Sequence, residues 1–576
     1  MRETRSASQI LFGHLPDQTV DVGGGIWRVR RWTDAKTENS IDPDALRREL
    51  LKAAWPWKES GKDGDFASDL LRGRPVRVKS LNPERGVWCE QFPRLYVCRK
   101  CNRVHDAPSG KCDCGSQSRN RGQLPFVGYH DACGALKSPW IRKCGQHGQR
   151  AVRHPGTASA NELIFYCPVC NVKLQTGFGG ALCDCDQGGP LSFNVHRAAS
   201  VFTPRGITII NPPKREILRE VEKAGDGERS LIWLLGGMAE RRVTEAAPST
   251  NPEAIRQLLA GRGFDQATIE AMLAAMPRST VPDNTAVVLP ASVKKEAEAQ
   301  ARQIALATYE SRRTVGDLKA AADADDVGTL YERQYPASLR RAGLARVELV
   351  DKFPVLTGQY GYTRGDTSAG ASRLRTYVER NGEYTVYGDL AETEALFFQL
   401  DPMSVWRWMR QRGAALGPAT DRKTAMLAVL SALEVEDYPT INPANDNFRM
   451  LTTLIHSFAH ATIRRASVYA GIERSALSEV VLPLTFGFFI YAAARGDFVL
   501  GGLEALFESE LSDLLNSLVA DEHRCALDPG CMDNGAACAV CLHLGEPSCR
   551  MFNTLLSRTA LAGGSGYFDT CALEPV

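Results

Sequence analysis

No stretch of the 576-residue chain is long and apolar enough to suggest a bilayer span. The longest apolar stretch, residues 480–494, is interrupted by Pro483 and Gly487 and falls short of the ~20 residues a transmembrane helix needs. The first twenty residues lack the continuous apolar core of a secretory signal, so export is not expected. Net charge is nearly missing too, with Lys plus Arg at 69 against Asp plus Glu at 67, and total charge alone does not announce a binder of polyanions. The sequence contains no G-x-x-x-x-G-K-[ST] loop. Gly61-Lys62 continues with Asp63 and lacks the preceding glycine, so the chain is not itself a P-loop motor. A G-x-S-x-G elbow is absent, and no cysteine stands beside an evident base. Intrinsic catalysis therefore has no support in the residues, and a non-enzymatic role is expected.

Cysteine is missing from the middle and crowded at the ends. Of seventeen, eleven lie between Cys89 and Cys185, six between Cys525 and Cys571, and none in between. Spacings of C-x-x-C and C-x-C gather thiols around a metal, whereas structural disulfides usually join distant segments, so a reducing cytoplasmic setting is expected.

The length calls for two to four domains, and the patterns imply a multidomain α+β protein. Residues 1–85 form a mixed segment with a strand pattern at 26–32 and a helix at 42–54. Residues 86–213, rich in Cys, Gly and short extended runs, read as a zinc-ribbon region. Residues 214–345 read as a helical middle, with two apolar-periodic stretches within 251–276 and a longer charged helix at 291–313. From 346 to 576 short strands such as 384–387 mix with helices predicted at 392–399 and 447–469, giving a mixed α/β C-terminal domain with a cysteine cluster. Residues 480–494 read as a buried strand with a helical lead-in.

Cys98, Cys101, Cys112 and Cys114 form C-x2-C-x10-C-x-C, and Cys167, Cys170, Cys183 and Cys185 form C-x2-C-x12-C-x-C. Each set supplies the four soft donors that tetrahedral zinc takes at about 2.3 Å, so each predicts a closed, architectural zinc site. Between them His130, Cys133, Cys144 and His147 (H-x2-C-x10-C-x2-H) offer a further set. In the C-terminal cluster Cys525, Cys531, Cys538, Cys541 and Cys549 compete for four positions, with Cys538, Cys541 and Cys549 firm and Cys531 or Cys525 as the fourth. The expectation is three zinc ions, or four if the histidine-containing set binds. Cys89 reads as a packed thiol, and Cys571 as a tail residue without a role. His456 and His460 share a helix face, but Ser457 stands where a zincin has its catalytic Glu, so they read as packed, hydrogen-bonded histidines.

Several C-terminal stretches carry a resemblance. LIHSFAH (454–460), FGFFIYAAA (486–494) with LGGL (500–503), GAACAVCL (535–542), Cys549 and NTLLSRTAL (553–561) resemble the metal-binding domain of unknown function that closes MrfA-type DNA-repair helicases. Gly361-Tyr362-Thr363-Arg364 looks like that family's G-[FY]-[ST]-R turn, and Thr393-Glu394-Ala395 like its T-E-A helix start. A chain with this domain behind a zinc region, and without a motor, is similar to the DrmB family of accessory subunits from the bacterial DISARM anti-phage system. That resemblance implies a superfamily-two helicase partner, DrmA, and a complex directed at invading DNA.

The local charge agrees with such a role. Between Leu71 and Arg153 seventeen basic side chains face five acidic ones. Arg72, Arg74, Arg77, Lys79, Arg99, Lys100 and Arg103 are the expected phosphate contacts, with Trp88, Phe92 and Tyr96 available to stack on bases. The alternatives are a metal-dependent nuclease or hydrolase using the C-terminal cluster or the His456/His460 pair, and a scaffold that never touches nucleic acid.

Overall fold

A computed structural model describes residues 1–245, 289–322, 328–436, 443–493, 501–521, 524–545 and 553–572, together with positions 265, 266, 268, 270, 548, 549 and 551. Most of the helical stretch expected at 251–276 lies outside the described residues. The chain forms two compact units, Met1–Lys214 with Val355–Ala391, and Arg215–Pro354 with Glu392–Val576. The first unit runs through residue 85 without a break, and residues 355–391 return to it.

In the first unit, strands Arg2–Glu3, Val87–Gln91, Gly25–Trp32 and Thr19–Val22 lie in that order in an antiparallel sheet. Ile10, Leu15, Val29 and Val87 are buried against it. The helix expected at 42–54 runs over Pro43–Glu59, where Asp42 caps it by accepting from the Ala45 N–H at 2.7 Å. Leu46, Leu50, Ala54 and Trp57, at helical spacing, bury one face with Val76, Val78, Leu356 and Val386. In a further sheet, Thr203–Ile210 pairs with residues 355–363, and Val76–Ser80 runs parallel to 384–387.

The four residues Gly361 to Arg364 account for themselves there. A Cβ on Gly361 would sit 2.2 Å from the Arg375 carbonyl oxygen, so only glycine lets the strand Arg375–Val378 pair here. Thr363 Oγ1 accepts from Arg205 at 2.7 Å. Arg364, 1 % exposed, donates to the carbonyls of Gly134 (2.9 Å), Asp17 (3.2 Å) and Val201, with its guanidinium 4.7 Å from the Tyr362 ring. One buried cation thus ties three distant loops of this unit together.

The second unit holds helices Arg215–Lys223, Asp226–Leu235, Ala291–Thr308, Val315–Ala321 and Tyr335–Arg341, which agrees with a helical middle in its described part. Buried Arg312 makes a two-pronged ion pair with Glu348, at 2.8 Å on each oxygen. Residues 395–399 pair with 487–491, and Leu477–Leu482 pairs with Gly487–Ala492. The helix Asp446–Tyr469 buries thirteen of its side chains.

Three expectations fail in this unit. Residues 392–399 are not a helix but part of the strand Tyr384–Leu400. Ala395, Leu396, Phe397 and Phe398 are all fully buried, so both strand faces are apolar and the alternation that marks a half-exposed strand is absent. Phe397 and Phe398 pack on Phe489 and Phe488 with ring centroids 4.9 and 5.0 Å apart. The Thr393-Glu394-Ala395 sequence is likewise not a helix start. Glu394 instead accepts from the N–H groups of Gly501, Leu503 (2.8 Å) and Glu504 (3.0 Å), serving the beginning of the helix Gly502–Ala505. In its described part the stretch expected at 480–494 is not a strand behind a helix: Leu477–Leu482 and Gly487–Ala492 form a strand pair turned at Pro483–Thr485, and position 494 lies outside the described residues.

Candidate metal centres

Three small sheets in the first unit each carry one cluster. In the first, strands Val104–His105, Tyr96–Cys98 and Arg121–Gln123 hold Cys98, Cys101, Cys112 and Cys114 together. The sulfurs of Cys98 and Cys114 are 3.7 Å apart, and those of Cys101 and Cys112 are 3.5 Å apart. Four thiolates at about 2.3 Å from a tetrahedral ion stand about 3.7–3.8 Å from one another, so the set fits zinc. The backbone N–H of Ser116 pulls the Cys114 thiol down to about 6, favouring the thiolate a metal requires.

The next eight ligands pair differently from the sequence expectation. Cys167, Cys170, Cys183 and Cys185 do not share a site, and neither do His130, Cys133, Cys144 and His147. The structure brings together His130, Cys133, Cys183 and Cys185, and separately Cys144, His147, Cys167 and Cys170. In one group His130 Nδ1 is 3.1 Å from Cys133 Sγ and 3.5 Å from Cys185 Sγ, and Cys133 Sγ is 3.5 Å from Cys183 Sγ. In the other His147 Nδ1 is 3.6 Å from both Cys144 and Cys167, while Cys144 and Cys170 are 3.9 Å apart.

Strand pairing is the reason. Phe126–Tyr129 pairs with Leu136–Lys137 and with Ser192–Val195, which sets the 183–185 turn beside the 130–133 turn. Ala151–Arg153 pairs with Ile164–Tyr166, and that strand with Lys173–Thr176, which sets 167–170 beside 144–147. The inner two ligand pairs make one site and the outer two enclose it in sequence.

A local signal for the ligand turns was present. The residue after the second ligand is Asn102, Gly134, Gly148 or Asn171, each at positive φ, and its N–H returns to the carbonyl of the first ligand at 2.7–2.9 Å. Gly and Asn tolerate that conformation best. This identifies each half-site as a turn, but not which half-sites combine.

In the second unit Cys525, Cys531, Cys538 and Cys541 form the fourth group, with sulfur separations of 3.6 Å (Cys525 to Cys538), 3.6 Å (Cys531 to Cys541) and 3.7 Å (Cys538 to Cys541). Cys549, expected as a firm member, is not part of it; its sulfur lies 3.5 Å from His456 Nε2. Both candidates for the fourth ligand, Cys525 and Cys531, belong to the group. Two sets of four cysteines, and two of three cysteines with one histidine, could therefore hold zinc. All four donors in each are protein atoms, the closed arrangement of structural zinc. Cys89 and Cys571 are buried outside every group, and burial pushes their thiols up to about 11 and about 12.

The expected phosphate contacts divide into two classes. Arg74 pairs with Asp69, Arg77 with Glu383 at 3.5 Å and Lys79 with Glu379 at 2.7 Å, so these three are already engaged within the fold. Arg103 donates to Gln149 at 3.2 Å. Arg72 is exposed and 3.5 Å from Asp69, while Arg99 and Lys100 stand exposed on the first zinc turn. Phe92 and Tyr96 are buried and cannot stack on bases; Trp88 is exposed. Sequence reading did not single out Arg464, Arg465, Arg474 and Arg524, which line a cleft with Cys525 and Cys541. They are scattered over sixty residues of sequence and gathered only by the fold.

Residues 6–200, which contain three of the four groups, match a family model described as a domain of unknown function (DUF8724). The chain is 24% identical over 183 residues to the DISARM protein DrmB of Bacillus paralicheniformis, covering 29% of this chain and 31% of that protein. It is 35% identical over 75 residues to a Smg homolog of Methylococcus capsulatus, covering 13% of this chain and 48% of that protein. The matched part thus spans about a third and about half of the lengths of these relatives. Among the described residues no helix is long and apolar enough to cross a membrane. The chain is a distant relative of a DISARM protein, built on four clusters suited to zinc.

Proposed function

We propose that this chain is a non-catalytic, zinc-stapled accessory subunit of a DISARM-like anti-phage complex. In this reading it binds a superfamily-two helicase of the DrmA kind and helps position or gate DNA for it. The observation that carries the reading is the similarity to DrmB, joined to four metal groups whose donors are all protein atoms. Closed sites hold structure and leave no position for a reacting water, which favours an accessory role over a hydrolase.

DNA would meet the exposed basic side chains, Arg72, Arg99 and Lys100 in one unit and Arg474 and Arg524 in the other. A four-thiolate zinc site carries a net charge of about −2, so neighbouring arginines also offset the metal centre. Charge reversal separates these two roles.

The test is co-expression with a superfamily-two helicase of the DrmA kind, followed by size-exclusion chromatography and DNA-stimulated ATPase with and without this chain. Co-elution and an altered ATPase or DNA affinity are expected. Reversing Arg99 and Lys100 to Glu should weaken DNA binding by the complex and flatten its salt dependence. Unchanged affinity after reversal at both Arg99/Lys100 and Arg474/Arg524 would leave the scaffold reading. Separate elution with no effect on the motor would remove the accessory reading.

A further inference from the structure

Cys549, left out of the four-cysteine group, is not a stray thiol. It lies against two histidines and a glutamate in the interior of the second unit. His456 and His460 sit one turn apart on the buried face of the helix Asp446–Tyr469, with ring centroids 4.4 Å apart. Glu479 comes from the strand Leu477–Leu482, which packs on that helix. The four side chains are 0, 0, 1 and 3 % exposed for His456, His460, Glu479 and Cys549.

Their donor atoms converge. Glu479 Oε1 is 3.0 Å from His456 Nε2 and 3.2 Å from His460 Nε2, and Cys549 Sγ is 3.5 Å from His456 Nε2. Ligands on a tetrahedral ion, with bonds of about 2.0–2.1 Å to N and O and 2.3 Å to S, stand about 3.3 Å (N to O) and 3.6 Å (N to S) apart. The observed edges match.

The hydrogen bonding around the cluster does not suit a simple polar network. Both imidazoles point at the same carboxylate oxygen. Meanwhile Glu479 Oε2 and His456 Nδ1, both buried, have no hydrogen-bond partner among the described residues. An ion-pair network would spread its donors over both oxygens, because an unsatisfied buried polar atom is costly. Convergence of four donors on one point, with one oxygen left over, is the pattern of a carboxylate binding an ion through a single oxygen.

The outer contacts fit the same arrangement. His460 Nδ1 donates to the Leu542 carbonyl at 2.8 Å, which turns Nε2 toward the cluster. The N–H of Asn553 points at Cys549 Sγ at 3.3 Å, as backbone donors do toward thiolates.

We propose that His456, His460, Glu479 and Cys549 form a fifth metal site, specific for a divalent zinc-class ion and closed to solvent. Two imidazoles and a thiolate disfavour magnesium and calcium, which take oxygen ligands. Four protein donors in a dry interior leave no open position, so the ion is structural. It joins the long helix to the strand Leu477–Leu482 and to the segment after the cysteine group. The Leu542 peptide links the two C-terminal sites, its N–H bonded to Cys538 O at 3.0 Å and its carbonyl to His460. The site rests on these residues alone and stands or falls independently of any helicase partner.

The experiment is metal counting on the full-length chain, by elemental analysis and by native mass spectrometry. Five zinc ions per chain are expected in the wild type, and four in Cys549→Ser. Should Cys549→Ser fail to fold, Glu479→Gln keeps the shape of the side chain while weakening the site, and one zinc in five should pass rapidly to a chelator. In the cadmium-113-loaded wild type, a one-sulfur site should give a resonance well upfield of those of the four sulfur-rich sites. Four metals in the wild type, or no such upfield resonance, would overturn the proposal. So would five tightly held ions in both variants.

Discussion

The zinc region of the first unit and the core of the second solve the same problem with different materials. Residues near 95–195 are organised around strands of two to four residues, with a cluster of ten buried apolar side chains, Leu95 to Phe178, and three metal groups. The second unit buries a 24-residue helix and a row of large side chains including Phe397, Phe398, Trp408 and Phe458. Short strands bury too little apolar surface to offset the entropy of ordering them. Where the core is thin the candidate metal groups are dense; where it is thick apolar packing dominates.

The comparison is broken most directly by removing one ligand on each side. Cys167→Ser should release one zinc and unfold the zinc region around it, because structural zinc contributes ~10–16 kcal/mol in small sites. Zinc content and limited proteolysis check this, and a metal-poor yet protease-resistant zinc region would overturn it. Cys541→Ser should release one zinc and loosen 525–545, while the helix Asp446–Tyr469 keeps its hydrogen-exchange protection. Loss of that protection would show that metal also governs the thick core.

Smaller changes sharpen the contrast. Arg364→Leu strands three carbonyls that now accept from one guanidinium and should cost about 3 kcal/mol in denaturant titrations. Asp69→Asn removes a carboxylate that accepts from Tyr384 Oη at 2.8 Å and pairs with Arg74. It lies near the surface and should cost no more than about 1 kcal/mol. A larger loss would mean that surface ion pairs carry stability in the first unit.

Much of this was legible in the sequence, for identifiable reasons. Ligand turns announce themselves through spacing and through Gly or Asn at the left-handed position, both local properties. The helix read at 42–54 is Pro43–Glu59 in the structure, and its cap Asp42 and its apolar spacing are local features too. What spacing does not encode is which turns meet, since that depends on strand pairings such as Tyr129 with Ser192. Glu479 was missed because a lone glutamate in an apolar strand has no pattern until His456, 23 residues earlier, is seen beside it. The strand at 392–399 was read as a helix because burial on both faces erases the period-two signal.

The nested pairing of the two groups of three cysteines and one histidine has a kinetic consequence. The inner group closes a loop of 20 residues between His147 and Cys167, and the outer group one of 50 between Cys133 and Cys183. Closure entropy rises with loop length, by about 0.6 kcal/mol per doubling, so an ion entering the inner group would have the less costly loop to close. With that loop closed, the path between the outer turns would shorten and the outer group would meet a chain already partly ordered. All four ligands of the inner group also precede Cys183 in the chain, so metal uptake from the inside outward is the expected order.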